Sequence, residues 1–305
     1  MICGAILAAL LLALLFAAAR ALALPIPGLG GDAVSRIDLP QALPYDLPPV
    51  AGGGGAGLPL VMIDPGHGGF DYGARTPGFD EKVLTLGLAL ALRDRLIADG
   101  GLRVALTRTD DRFVSLEERY EAARRLGADL FLSVHADSVA GGEEAAGASI
   151  YTLSARASSA AALRFARREN ASDSVNGQTL SGKSDAVSAI LVDLSQRRTQ
   201  ERSERLAELI EREGAGILRF HPQARRSAAL EVLRAPDVPS VLFESGYITN
   251  PREAARLMSA SGRADFARAM SRAIRLYFAR ERYEAEQASA RPAVASAIAS
   301  SGSEP

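Results

Sequence analysis

The first pattern in the chain is an unbroken apolar run. Ile2 to Ala19 carries no charge, and Arg20 is the first ionic side chain. Small residues follow as Ala19-Arg20-Ala21 and Ala21-Leu22-Ala23, then Pro25. An apolar core ahead of an A-x-A site predicts a secretory signal over residues 1–23, cut near Ala23, and export to a periplasm or beyond. No Lys or Arg precedes the run, which leaves a mis-assigned start codon or an uncleaved anchor as alternatives, since spanning needs about 18 apolar residues. The pattern then lapses. Residues 24–57 hold Pro25, Pro27, Pro40, Pro44, Pro48 and Pro49, then Gly52 to Gly55. Such a stretch buries too little apolar surface to offset chain entropy and reads as a flexible tether.

Periodicity resumes at Leu58 and fades near Tyr283. Strand-length β-type runs cover Leu58–Ile63, Arg103–Thr107, Leu130–Val134, Ala148–Leu153, Ala229–Leu233 and Ser240–Phe243. Helical patterns alternate with them at Lys82–Ala98, Ser115–Leu126, near Glu204–Leu218 and at Ala264–Arg280. In the first helix Val83, Leu86, Leu90 and Ile97 recur at helical spacing, with further leucines between them. Asn250 before Pro251 fits an N-cap with proline in the first turn. Alternating strands and helices predict one α/β domain over residues 58–283, its mostly parallel or mixed twisted sheet flanked by helices on both faces. Residues 284–305 are Ala/Ser-rich without an apolar stripe and read as a disordered tail.

Composition narrows the function. Thirty-five basic against 36 acidic residues give a net charge of −1, with no bulk attraction to nucleic acid. There is no Trp and only 6% aromatic content, so base-stacking platforms are missing. One cysteine, Cys3, excludes an intrachain disulfide framework and a cysteine-based zinc cage.

Chemistry concentrates where strands end. Val61-Met62-Ile63 runs into Asp64-Pro65-Gly66-His67-Gly68-Gly69, Leu130–Val134 into His135-Ala136-Asp137, and Val241-Leu242-Phe243 into Glu244-Ser245-Gly246; Glu81 opens the first long helix. Taken singly, each has a plain alternative: a packed histidine, a dipole-favourable first-turn acid, a strand-end surface charge. Together they hold two of the three histidines and two carboxylates at the strand ends where α/β sheets place ligands. Two imidazoles and a carboxylate make a three-ligand zinc site with a free fourth position, and a remaining Glu can take a proton from water.

The strings IDPGHGGFDYGA, SVHAD and PSVLFESGYITNP, with Glu81-Lys82 between the first two, resemble those of the zinc-dependent N-acetylmuramoyl-L-alanine amidases that cut peptidoglycan. The resemblance runs from about Leu58 to Tyr283. It implies His67, Glu81 and His135 as Zn2+ ligands, Asp137 as an auxiliary ligand or a hydrogen-bonding neighbour, and Glu244 as the catalytic carboxylate. The bond cut would be the amide between N-acetylmuramic acid and L-alanine. A catalytically inactive peptidoglycan-binding protein and a zinc carboxypeptidase acting within the stem peptide are the rival readings. All four key residues are present against the first, and no arginine clamp for a terminal carboxylate is identifiable for the second.

Residues 154–200 look inserted. Ala155–Arg168 is helix-prone, and Val187, Ile190, Leu191 and Leu194 form a second stripe. A surface helical hairpin is the plain reading. The segment also resembles the regulatory insert of the cell-separation amidases, in which a helix blocks the zinc cleft until an activator moves it. That implies Glu169 as an inhibitory zinc ligand, unless it pairs with Arg167 or Arg168, and a LytM-domain-type protein as activator. Arg75 and Arg108 are either cleft residues for anionic peptide or solvated loop charges. His221 reads as a surface histidine, and the Arg-rich run from Arg197 to Arg226 as a solvated helix face.

Overall fold

The computed structural model describes residues 46–55, 57–139, 144–172 and 188–301, with side chains of 188–196 and 290–301 left undescribed. The expected signal, most of the tether and Val187 lie outside these residues, as do the side chains of Ile190, Leu191 and Leu194. The described residues fall within one compact unit, Ala42–Pro305. No helix among them is long and apolar enough to cross a membrane.

Six strands make the main sheet: β1 (Leu60–Pro65), β4 (Arg103–Leu106), β5 (Leu130–Asp137), β6 (Ala148–Leu153), β7 (Phe220–Ala228) and β8 (Ser240–Tyr247), in the order β4-β1-β5-β8-β6-β7. The first four in that order are parallel, β6 runs antiparallel to β8, and β7 is parallel to β6. The expected mixed sheet is therefore present. A two-stranded ribbon of β2 (Arg75–Thr76) and β3 (Phe79–Asp80) leads into the first helix.

Helices α1 (Glu81–Asp99), α4 (Ser188–Gly214), α5 (Pro251–Met258) and α6 (Ala260–Ser301) cover one face, packing on Val61, Ile63, Val134, Ile150 and Phe243. On the other face α2 (Leu116–Arg125), α3 (Ala160–Asn170) and a 3-10 turn (Glu231–Leu233) pack on Met62, Phe131, Tyr151 and Leu242. Ser115 caps α2 in a capping box with Glu118, and Asn250 caps α5 as expected, accepting from the amides of Arg252 and Glu253.

Several expectations are corrected. The buried row of α1 is Leu84, Leu88, Leu92 and Leu96, whereas Val83 and Ile97 are exposed. A helix apolar nearly all round offers more than one stripe, and the i,i+4 leucine row meets the sheet. Ala229–Leu233 is no strand: Leu233 N–H bonds to Leu230 O, and Asn170 Oδ1 takes the Glu231 amide, so the run turns. Strand β7 begins within the last part of the Arg-rich run read as a helix face; Pro222 and paired arginines suit an edge strand that must not recruit partners. The tether's end is not free either. Pro48 is buried, and Ala51 exchanges both backbone hydrogen bonds with Val104, covering the open edge of β4. Finally, α6 continues to Ser301 where a disordered tail was expected; alanine favours helix without packing, and residues 284–289 are exposed.

Candidate metal centre

His67 follows β1 in a loop that is braced from below. Its φ of 61° is the one positive value of a non-glycine residue among the described residues, a conformation that costs about 1–2 kcal/mol. Two buried arginines hold it there. Arg119 donates to His67 O at 2.9 Å and to Pro65 O at 2.9 Å, and Arg108 donates to Pro65 O at 3.0 Å and Gly66 O at 2.8 Å. Arg108 is fully buried, so it is neither a solvated loop charge nor a cleft residue. Asp64 anchors the brace, accepting from Arg119, Thr107 and Ser133 at 2.7, 2.6 and 2.7 Å. Burial raises the Asp64 pKa, but Arg119 and the two hydroxyls outweigh it and hold the carboxyl below its usual range. Arg75, by contrast, is exposed and pairs with Asp80 at 3.1 Å.

Three predicted ligands converge above this loop. Glu81, the first residue of α1, accepts from the Ala136 amide with Oε1 at 2.9 Å and from the Ala74 amide with Oε2 at 2.8 Å. The same Oε1 lies 3.1 Å from His67 Nε2 and 3.2 Å from His135 Nδ1. Two glycines make room. A Cβ at Gly66 would sit 2.3 Å from His135 Nε2, and one at Gly73, where φ is 66°, 2.6 Å from Glu81 Oε2. Asp71, which sequence reasoning missed, lies 2.8 Å from His67 Nδ1. Its carboxyl is held below the usual range: burial opposes this, but the hydrogen bond and charge of His67 prevail. Asp71 therefore accepts, Nδ1–H donates, and Nε2 faces the cluster. Its place four residues after His67 was the available signal.

The fourth group comes from α3. Glu169 is buried, with Oε2 3.6 Å from His67 Nε2 and 3.3 Å from His135 Nδ1. One ligating atom from each of His67, His135 and Glu169 lies within 4.8 Å of the others, a set able to hold a metal ion. The pairing alternative is realised as well, since Arg168 Nε donates to Glu169 Oε1 at 3.1 Å. Neither Glu81 nor Asp137 is in that set; Asp137 Oδ1 accepts from the Ser138 amide at 2.7 Å and from Arg168 Nη2 at 3.1 Å. Burial disfavours charge on His67, yet Glu81, Asp71 and Glu169 outweigh it and push the imidazole well above its usual pKa. Burial likewise opposes ionised Glu81, and His67 and His135 overcome it, pulling the carboxyl well below its range. The field of the site asks for a cation between these groups.

Glu244 is placed differently. It stands in register with His135 on β8, is 1% exposed, and neither carboxylate oxygen has a hydrogen-bond partner among the described residues. Burial, then the charges of Asp137, Glu81 and Glu169, raise its pKa well above the usual value. A buried carboxyl whose pKa is raised beside a cluster of titratable groups is a candidate for proton transfer. His221 lies apart from the cluster, partly buried on β7, its Nδ1 accepting from the Gln223 amide at 3.0 Å.

Comparison with known proteins matches this arrangement. The Amidase_3 family model, described as N-acetylmuramoyl-L-alanine amidase, matches residues 61–275. The N-acetylmuramoyl-L-alanine amidase AmiA of Salmonella typhimurium is 40% identical over 221 residues, 72% of this chain and 76% of that protein. The AmiA of Escherichia coli is 39% identical, over 73% of this chain and 77% of its own length. Among solved structures, the amidase AmiC2 of Nostoc punctiforme is 28% identical with a TM-score of 0.54, over 73% of this chain and 99% of that one. With the match spanning the sheet, the histidine cluster and Glu244, the chain belongs to the Amidase_3 family of N-acetylmuramoyl-L-alanine amidases.

Proposed function

We propose that the amide hydrolysis of this family runs here on zinc held by His67, Glu81 and His135, with Glu244 moving the proton and Glu169 acting as a removable block. The observation that carries the reading is the set of separations around the two imidazole nitrogens. Glu81 Oε1 and Glu169 Oε2 stand 3.1, 3.2, 3.3 and 3.6 Å from them. A tetrahedral ion with bonds of about 2.0 Å needs edges of about 3.3 Å. The donor set, two imidazoles with carboxylates, also suits zinc better than a hard oxygen-seeking cation.

Zinc, when bound, supplies Lewis-acid polarisation of the scissile carbonyl and a water that ionises near neutral pH. The chain's own residues do the rest. Asp71 keeps the His67 ring oriented, and the Ala74 and Ala136 amides keep Glu81 in place. Glu244 accepts the proton of the attacking water at a carboxylate oxygen. It then returns that proton to the departing nitrogen of L-alanine, so one carboxyl serves as base and acid. The bond cleaved joins the lactyl group of N-acetylmuramic acid to L-alanine in peptidoglycan.

On this reading Glu169 occupies the position that substrate and water need, which its closeness to both imidazoles supports. Opening requires α3 to withdraw, and a LytM-domain-type activator binding the insert is the partner we assign to that step. A periplasmic role in daughter-cell separation follows from this control and from the apolar N-terminal run. The test is mass spectrometry of products from purified sacculi, using the zinc-loaded chain and its Glu169→Ala variant, each with and without a LytM-domain partner. Stem peptides beginning with L-alanine, released by the variant alone or by the parent only with the partner, support the reading. Equal release from unassisted parent and variant removes the block; cleavage inside the peptide removes the amidase assignment.

A further inference from the structure

The proton-moving carboxyl has an unclaimed neighbour. Ser149 on β6 is the antiparallel register partner of Glu244 on β8, while His135 on β5 is the parallel partner of the same residue. Side chains alternate along a strand, so register and parity fix which face each one takes. Val134 and Ala136 flank His135, Ala148 and Ile150 flank Ser149, and Phe243 precedes Glu244; all five belong to the core on the α1 face. His135, Glu244 and Ser149 therefore stand in a row across three adjacent strands on the opposite face, the one α3 covers with Phe165 and Glu169.

Two groups in this row are unsatisfied. Ser149 Oγ and both Glu244 oxygens have no hydrogen-bond partner among the described residues, and each residue is 1% exposed. A buried hydroxyl left without a partner is costly, and a sheet position between Ala148 and Ile150 would accept alanine at no such cost. Directly opposed side chains of antiparallel strands have Cβ atoms about 4.5–5.5 Å apart. One rotation about χ1 is then enough to carry a serine hydroxyl to a facing carboxylate. The charged groups felt by Glu244 are Asp137, Glu81, Glu169 and Arg168. Three of them repel its ionised form, and Arg168 spends its hydrogen bonds on Glu169, Asp137 and Ser138 O.

We infer that Ser149 is a positioning residue for the reaction: its hydroxyl donates to one oxygen of Glu244 once Glu169 withdraws, leaving the other oxygen to handle the proton. The inference rests on the proposed role of Glu244 and deepens it. No covalent step is added; Ser149 keeps its proton throughout. A hydrogen bond to a charged group of this kind is worth about a tenfold to hundredfold change in rate.

The experiment uses the zinc-loaded chain carrying Glu169→Ala, with Ser149→Ala and Ser149→Thr added separately. Expected for Ser149→Ala is a kcat about tenfold or more below the Glu169→Ala parent, with KM and zinc content unchanged and a melting temperature equal or higher. Ser149→Thr restores kcat. A purely structural serine gives the stability result without the kcat loss, and that outcome overturns the inference. A second measurement does not depend on turnover. The infrared carboxyl band of Glu244, assigned by its disappearance in Glu244→Gln, should shift in Ser149→Ala and return in Ser149→Thr; an unmoved band overturns the contact. If the parent releases no peptide while the band shifts, the amidase reading fails and the Ser149 contact stands. If the parent turns over and Ser149→Ala matches it, the contact fails and the amidase reading stands.

Discussion

The cation cluster has two sides that are held in opposite ways. On the sheet side, His67 follows β1, Glu81 opens α1 and His135 sits on β5, and they are fixed by buried backbone and side-chain donors. On the α3 side, Glu169 is held by its helix and by Arg168, whose side chain is 44% exposed. The sheet side carries a strained His67 and keeps it strained; the α3 side carries an unstrained helix. The difference separates groups fixed by the sheet from one that moves only with its helix. A residue braced by buried groups cannot exchange without unfolding its surroundings, whereas Glu169 moves only with α3, whose Ala162, Phe165 and Ala166 are packed in the core.

The largest effect should come from breaking the brace. Arg119→Ala leaves Asp64 ionised, buried and without its cation, a change worth about 3–5 kcal/mol. Urea unfolding should show that loss, and zinc affinity should fall with it because His67 O loses its donor. A stable Arg119→Ala protein with normal zinc affinity would erase the contrast between the two sides. The same brace can be read by pH. The folded pKa of Asp64 is lowered, so its contribution is complete above the unfolded value of about 3.9 and is lost as pH falls through the folded value. Acid unfolding of the parent should therefore steepen below about pH 4, and Asp64→Asn should flatten that limb while lowering stability at pH 7.

Next in size is Asp71→Asn. It keeps the shape but removes the negative charge beside His67 and one of the two acceptor oxygens that serve His67 Nδ1 and the Gly73 amide, and metal affinity should drop about 10- to 100-fold. Competition with a chromophoric chelator measures this directly. Unchanged affinity would mean that the loop backbone alone sets the ring.

The brace and the block were not equally legible in the sequence. His67, Glu81, His135 and Glu244 could be found because each stands at a strand end or helix start that hydrophobic patterning locates. Glu169 was reached through its segment's resemblance to a regulatory insert; one of its oxygens lies against His135 and the other pairs with Arg168. Arg108 was misjudged because an arginine after a strand is usually solvated; only the tertiary fold supplies carbonyls for a buried one. Strand β7 was hidden because an edge strand wears the charges and proline that otherwise mark surface helix or loop. Ser149 was invisible for a related reason: cross-strand register, which makes it face Glu244, is not written in local periodicity.

The smallest predicted effect tests the removable side. Arg168 spans Glu169, Asp137 and Ser138 O, with donor distances of 3.1, 3.1 and 3.2 Å, and so ties α3 to the end of β5. Replacing it with alanine would confuse two effects, because losing the charge also strengthens the pull of the metal site on Glu169. Arg168→Lys keeps the charge and removes the planar fork that reaches three acceptors at once. Exposed pairs of this kind contribute about 0.2–1 kcal/mol. The closed state should lose no more than that, and unassisted peptide release should rise by up to about fivefold, with zinc content and melting temperature unchanged. Release unchanged in Arg168→Lys but raised in Phe165→Ala would move the holding force from the arginine to the Phe165–Tyr151 stack, whose ring centroids lie 4.4 Å apart.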